Sequence, residues 1–255
     1  MQRPDGRAWD ELRPIALEVG VNAWAEGSCL IAMGRTRVMA TVSVEEKVPP
    51  FLRGLGQGWV TAEYGMLPRA TLERTPREAA RGRQQGRTVE IQRLIGRALR
   101  AAVDLKAVGE RTFLVDCDVL QADGGTRAAA VSAGFLALVE ALWKMHQTQP
   151  FPRPPVPDWL AAISVGWDGT GPRLDLNYAE DAQMAVDLNV VMNGRGQFAE
   201  IQGAGEQQVF DRAQLDAMLA LAAQGIRTVI AKQREAFPEG GAVIAHSAAN
   251  DLGQP

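Results

Sequence analysis

Histidine and cysteine are nearly absent from this sequence, with two of each among 255 residues. His146 and His246 have no partner motif, which argues against histidine-based acid–base catalysis. Cys29 and Cys117 lie inside apolar, strand-like runs, and no CxxC pair or Cys/His spacing indicates zinc. Buried free thiols in a reducing, cytoplasmic setting are therefore expected. There is no uninterrupted run of about 18 apolar residues, so no membrane span is expected. The opening MQRPDGRAWDELRP is too polar for a secretory signal. A GxSxG elbow, an HExxH helix and a Walker lysine are also missing. GLGQG (54–58) has the glycines of a dinucleotide loop, but no strand feeds it and no helix follows.

Lysine is missing where a charged surface would normally use it. Between Arg69 and Arg100 there are nine arginines, no lysine and three glutamates, on a chain whose net charge is −3. Arginine alone favours bidentate contact with phosphate or carboxylate, so a polyanionic partner is indicated.

What is present reads as an α+β protein. The runs at 15–21, 28–33 and 36–46 are strand-like and are broken by Gly27 and Gly34. Residues 66–86 have weak periodicity with prolines and glycines, which predicts a mobile arginine-rich loop. From Thr88 to Asp104, Ile91, Leu94/Ile95, Ala98/Leu99 and Ala102/Val103 form one apolar stripe, as in an amphipathic helix. A strand at 111–119 and a helix at 126–144 follow. The proline-rich QPFPRPPVPDW (149–159) is a connector. Beyond it strands at 161–167, 172–178, 184–192 and 197–203 precede a helix at 211–236. The expected organisation is thus two similar halves sharing a core, 1–148 and 160–236, with 237–255 as a loose tail.

Two places carry chemistry. QADGGTR (121–127) sits where a strand meets a helix, a junction with unpaired backbone N–H groups and the positive end of a helix dipole. With Arg127 added it suits a phosphate; the alternative reading is that Gly124 and Gly125 simply turn the chain and Arg127 is a solvated first-turn residue. In MAVDLNVVM, Asp187 and Asn189 share one strand face while Val186, Leu188 and Val190 fill the other. A carboxylate in so apolar a strand can hold Mg²⁺ or donate a proton, or can be solvent-facing. Asp181 can join Asp187 only if the chain turns between Tyr178 and Met184.

Beyond these features, the chain resembles the bacterial ribonuclease PH family over roughly residues 3–235. The resemblance rests on RPDGR (3–7), VSVEEKVPPFLRGLGQGWVTAEYGMLPR (42–69), REAARGRQQGRTVEIQRLIGRALRAAVDL (77–105), LVDCDVLQADGGTR (114–127) and VDLNVVMNGRGQFAEIQG (186–203). It implies a phosphorolytic 3′→5′ exoribonuclease that trims tRNA 3′ ends and acts on other RNA such as rRNA precursors. Inorganic phosphate would be the co-substrate and Mg²⁺ (or Mn²⁺) the metal. It implies a duplicated βαβα module like ribosomal protein S5 domain 2, in a homohexamer built as a trimer of dimers. Arg87, Gly125, Thr126 and Arg127 would bind phosphate. Asp187 would be general acid or metal ligand, Asp181 a further ligand, and Arg69, Arg74 and Arg77 RNA-binding residues. Departures from the family pattern are Gln85 and Ala128, where glycine and threonine are common, and Pro76. The alternative is a non-catalytic RNA-binding ring subunit of an exosome-like assembly, though Arg87, Arg127, Asp181 and Asp187 are all kept here. A polynucleotide phosphorylase core would need a much longer chain, and a plain RNA-binding module leaves this residue set without a role.

Overall fold

The computed structural model describes residues 3–245. In the first half the strands β1 (Ile15–Val19), β2 (Gly27–Met33), β3 (Thr36–Glu45), β4 (Trp59–Met66) and β5 (Thr112–Gln121) form one sheet in the order β1-β2-β3-β5-β4. Each neighbouring pair among β1, β2, β3 and β5 is antiparallel, and β4 runs parallel to β5. A parallel neighbour needs a crossover, which is supplied by helix α1 (Gly86–Ala101). After α2 (Thr126–Thr148) the second half contributes β6 (Leu160–Trp167), β7 (Pro172–Leu174), the single turn α3 (Tyr178–Asp181), β8 (Val186–Asn193), β9 (Phe198–Gly205) and α4 (Arg212–Ala236). Its sheet order is β7-β6-β8-β9, all antiparallel.

The halves share one core because α2 lies between the two sheets. Its residues from Ala128 to Leu142 are all buried, whichever way they face. That environment explains a helix that is apolar all round rather than along one stripe. Its length and mean hydropathy of 1.4 would also suit a membrane span, but 83% of that window is buried inside the fold. α1 is amphipathic as expected, with Ile91, Leu94, Ile95, Ala98 and Leu99 buried. α4 covers the second sheet and starts in a capping box, where Asp211 accepts from the Gln214 N–H and the Gln214 side chain accepts from the Asp211 N–H.

Four expectations change. β4 follows the glycine-rich 54–58 segment and was not read as a strand, although Val60, Ala62 and Tyr64 alternate in burial with Trp59, Thr61 and Glu63. The 172–178 strand stops at Leu174, since Asp175 adopts a left-handed φ of 51° and Asn177 caps α3 instead. The 66–86 segment is less irregular than expected: Ala70 is buried and accepts from the Ala122 N–H, and Glu78–Arg81 form a 3₁₀ turn. The loose tail is corrected for residues 237–245. Pro238–Val243 form a 3₁₀ helix, Val243 and Ile244 are buried, Phe237 packs edge-on against Trp143, and Val156 bridges Ile244. Residues 246–255, with His246, lie outside the described residues.

Candidate active site

The QADGGTR junction is held open by a fixed set of bonds. Gly124 and Gly125 both adopt left-handed φ, 77° and 66°. A Cβ on Gly124 would also strike the Leu176 carbonyl, so no other residue fits there. The Thr36 hydroxyl accepts from the Asp123 N–H (2.9 Å) and donates to the Gly124 carbonyl (2.7 Å). Arg13 Nη1 donates to the Asp123 carbonyl (2.5 Å). Gly125 caps α2 and, among the described residues, no side chain bonds to the first-turn amides, so those N–H groups are available to a ligand. Thr126 is buried, and its Oγ1 accepts from the hydroxyl of buried Tyr64 (2.9 Å). With that acceptor position filled, the Thr126 proton is free to be donated elsewhere.

Behind the loop lies a buried ionic cluster that the sequence reading missed. Arg13 donates through Nη2 and Nε to the two oxygens of Asp175 (2.6 and 3.0 Å), and both residues are under 5% exposed. Arg3 grips Glu180 with two bonds (2.6 and 2.8 Å), and Arg7 reaches the same carboxylate (3.2 Å). Glu180 completes the capping box of α3 with Asn177. The N-terminal RPDGR motif thus fastens α3, and with it Asp181, while Arg13 ties the same segment to the glycine loop. The only sequence signal was three arginines within eleven otherwise ordinary residues.

The two arginines expected to clamp phosphate stand at two helix N-termini. Arg87 occupies the first turn of α1, exposed and, among the described residues, without an ion pair. Gln85 caps α1 with no side-chain hydrogen bond, so these amides are also free. Arg127 opens α2 and is only partly exposed. Its Nη1 donates to Gln202 Oε1 (2.6 Å) and approaches Glu90 Oε1 (3.4 Å), and Gln202 Nε2 donates to Glu90 (2.6 Å). Arg127 is therefore no freely solvated first-turn residue. Both arginines act on the same groups: each lies near enough to Tyr64 and to Asp181 to favour their ionised forms, against the burial that pushes both pKa values up.

The carboxylates meet them from the second half. The α3 turn and the bend at 182–184 satisfy the turn required between Tyr178 and Met184. On β8, Asp187 and Asn189 share a face, and Asn189 Nδ2 donates to Asp187 Oδ2 (3.1 Å). Val186, Leu188 and Val190 are buried on the other face. Burial, then the negative charge of Asp181, pushes the Asp187 pKa from 3.8 up to about 6, while Arg127 pulls it down. Glu206, just past β9, adds further negative charge and was not anticipated. Asp187 Oδ1 is buried and, among the described residues, has no hydrogen-bond partner. An orphaned carboxylate oxygen beside a second carboxylate fits a hard divalent cation that keeps most of its waters. Among the described residues no three His, Cys, Asp or Glu side chains close into a protein cage for a metal.

Arg69, Arg74 and Arg77 are not part of this convergence. All three are exposed, and among the described residues none makes a hydrogen bond or ion pair through its side chain. Pro76 and Gln85 are likewise exposed on this stretch, while Ala128 is buried one residue beyond Arg127. The thiols of Cys29 and Cys117 are buried and free, and burial pushes the Cys29 pKa up to about 12. Neither serves the site.

Comparison with known proteins covers nearly the whole of this architecture. The family profile described as "3′ exoribonuclease family, domain 1" matches residues 11–143, and that for domain 2 matches residues 158–225. Ribonuclease PH of Bacillus velezensis is 55% identical over 238 residues, 93% of this chain and 97% of that protein. Ribonuclease PH of Bacillus subtilis is 55% identical over 234 residues, 91% and 96% of the two chains. Among solved structures, the Archaeoglobus fulgidus exosome with RNA bound to the active site matches with a TM-score of 0.74 at 22% identity, over 91% of this chain and 92% of that one. Rice Rrp46 matches with a TM-score of 0.74 at 21% identity, over 91% and 98%. These two show the likeness of fold.

Proposed function

Since the chain belongs to the ribonuclease PH family, and is therefore a phosphorolytic 3′→5′ exoribonuclease of tRNA processing, we propose how its residues divide the reaction. Arg87, Arg127, Thr126 and the amides at Gly125 hold inorganic phosphate. A phosphate oxygen attacks the phosphorus of the terminal phosphodiester, and the bond from that phosphorus to the 3′-oxygen of the preceding nucleotide breaks. The terminal residue leaves as a nucleoside 5′-diphosphate, and the freed 3′-oxygen takes a proton. The reverse reaction adds a nucleotide from a nucleoside diphosphate.

The observation that carries this assignment is the meeting of two uncapped helix N-termini, each bearing an arginine, with the carboxylates of the other half. The arginines and amides hold the nucleophile in line and match the charge that develops on the equatorial oxygens. Asp187, with its pKa raised by burial, supplies the proton to the 3′-oxygen. Asp181 and Asp187 are also the residues that would hold Mg²⁺ or Mn²⁺. When bound, such an ion would neutralise charge on the phosphate oxygens. Arg69, Arg74 and Arg77 contact RNA phosphates without reading bases. We place the enzyme in the cytoplasm as a homohexamer, a trimer of dimers, where a ring would gather several arginine loops around one strand.

The test is incubation with Mg²⁺ and a tRNA carrying a short 3′ extension, with and without inorganic phosphate. Nucleoside diphosphates are expected only with phosphate. Monophosphates formed without it would overturn the cradle assignment, and RNA bound but uncut in both would favour the non-catalytic ring subunit.

A further inference from the structure

Gln202 lies on β9 at the register position opposite Asn189, so it shares the sheet face that carries Asp187. From there it reaches the first half, where it accepts from Arg127 and donates to Glu90 of α1. An amide is suited to this place, because it accepts from a guanidinium and donates to a carboxylate at once. Among the described residues, every Arg127 side-chain bond runs through Nη1, which leaves Nε and Nη2 as the edge open to a ligand. We propose that Gln202 and Glu90 are positioning residues for phosphate: they fix one edge of the Arg127 guanidinium so that the other faces the attacking anion.

The relay also joins three elements, α1, α2 and β9, that belong to different halves. It therefore ties the phosphate arm to the strand pair that presents the acid. Gln202 provides the directional hydrogen bonds. Glu90, 39% exposed at its side chain, offsets the Arg127 charge and orients the amide. The two contributions are separable. Glu90→Gln keeps an acceptor for the Gln202 amide and removes the charge, whereas Gln202→Met keeps the bulk and removes both bonds.

This inference rests on Arg127 being a phosphate ligand, and the experiment separates the two claims. KM for inorganic phosphate, KM for RNA and kcat are measured for wild type, Gln202→Met, Glu90→Gln and Arg127→Ala, with thermal melting of each. Gln202→Met is expected to raise KM for phosphate roughly tenfold, the scale of one lost charge-assisted hydrogen bond, with KM for RNA and the melting temperature near wild type. Glu90→Gln should shift KM for phosphate by less than about threefold, on the scale of a screened charge pair. An unchanged phosphate KM in Gln202→Met overturns the positioning role if Arg127→Ala still abolishes phosphorolysis. A parallel rise in both KM values with a lowered melting temperature overturns it in favour of a purely structural role. Normal phosphate KM in Arg127→Ala would instead sink the phosphate assignment itself. Should Gln202→Met fail to fold, Glu90→Ala, made at the more exposed end of the relay, carries the same KM comparison.

Discussion

Two parts of this molecule present arginine outward, and they are built in opposite ways. The cradle at 121–127 has Thr36, Arg13 and Tyr64 bonded to it from behind, and its arginine is held by Gln202 and Glu90. The segment from Arg69 to Arg83 has more arginines, but all are exposed and none is paired among the described residues. The first spends its bonds before a ligand arrives, so little ordering remains to be done on binding. The second offers charge on flexible stems, which suits a strand of RNA at any sequence but cannot aim a nucleophile. A count of arginines therefore says where phosphate is attracted. The bonds behind Arg127 fix that arm in advance, while Arg87, exposed and unpaired among the described residues like the loop arginines, is set apart by its place at the N-terminus of α1.

The sharpest way to break this comparison is to remove charge from each part in turn. Arg127→Ala or Arg87→Ala should lower the rate of phosphorolysis about 10³-fold, the scale of a lost electrostatic donor at a developing charge, while RNA binding by gel shift persists. Arg69→Ala should not approach that loss. Normal nucleoside diphosphate release by Arg127→Ala would erase the distinction between cradle and loop.

The support behind the cradle should be worth almost as much to stability as the cradle is to rate. Arg13→Ala removes both guanidinium bonds to Asp175, only 1% exposed, and leaves it the backbone N–H of residue 13 and Arg7 at 3.7 Å. The loss should be about 3 kcal/mol, as expected for a broken buried ion pair. Urea unfolding measures this, and a loss under about 1 kcal/mol, the scale of a surface pair, would show that Arg7 alone can hold Asp175.

Asp187 works in the other direction. Burial raises its pKa in the folded chain to about 6 from 3.8. The folded state thus binds this proton more tightly than the unfolded chain does. Stability associated with the group is complete at acid pH and is lost as pH rises through about 6. Asp187→Asn should therefore stabilise the chain at pH 8 by on the order of 2 kcal/mol and by little near pH 4, in chelator, even as turnover is lost. Equal effects at both pH values would refute the desolvated carboxylate.

The smallest effect belongs to the loop. Replacing Arg69, Arg74 and Arg77 together with alanine should weaken RNA affinity and reduce the slope of log affinity against log salt by roughly 2, for three single-strand phosphate contacts. An unchanged slope would remove these residues from the RNA surface.

Much of this was legible in the sequence because it depends on local pattern. The 3.6-residue stripe of α1, the apolar length of α2 and the alternation around Asp187 each fix an element and a face, whatever it packs against. The GGTR junction was legible too, since two glycines between a strand and a helix leave amides exposed. The motifs of the ribonuclease PH family then supplied roles for Arg87, Arg127, Asp181 and Asp187. β4 was missed although it alternates, with Val60, Ala62 and Tyr64 buried between Trp59, Thr61 and Glu63, because the glycine-rich 54–58 run and Gly65 flank so short an apolar set. The 237–245 segment was missed because its buried residues answer to Trp143 and Val156, far away in the chain.

What only the tertiary structure decided is the set of contacts between residues distant in sequence. Arg3 with Glu180, Arg13 with Asp175 and Arg127 with Gln202 join residues 75 to 177 positions apart. No periodicity can announce such pairs, because each depends on how two sheets close on α2. The sequence by itself singled out the groups proposed to carry the chemistry. The packing of the halves brings those groups together and fixes Arg127 through Gln202 and Glu90.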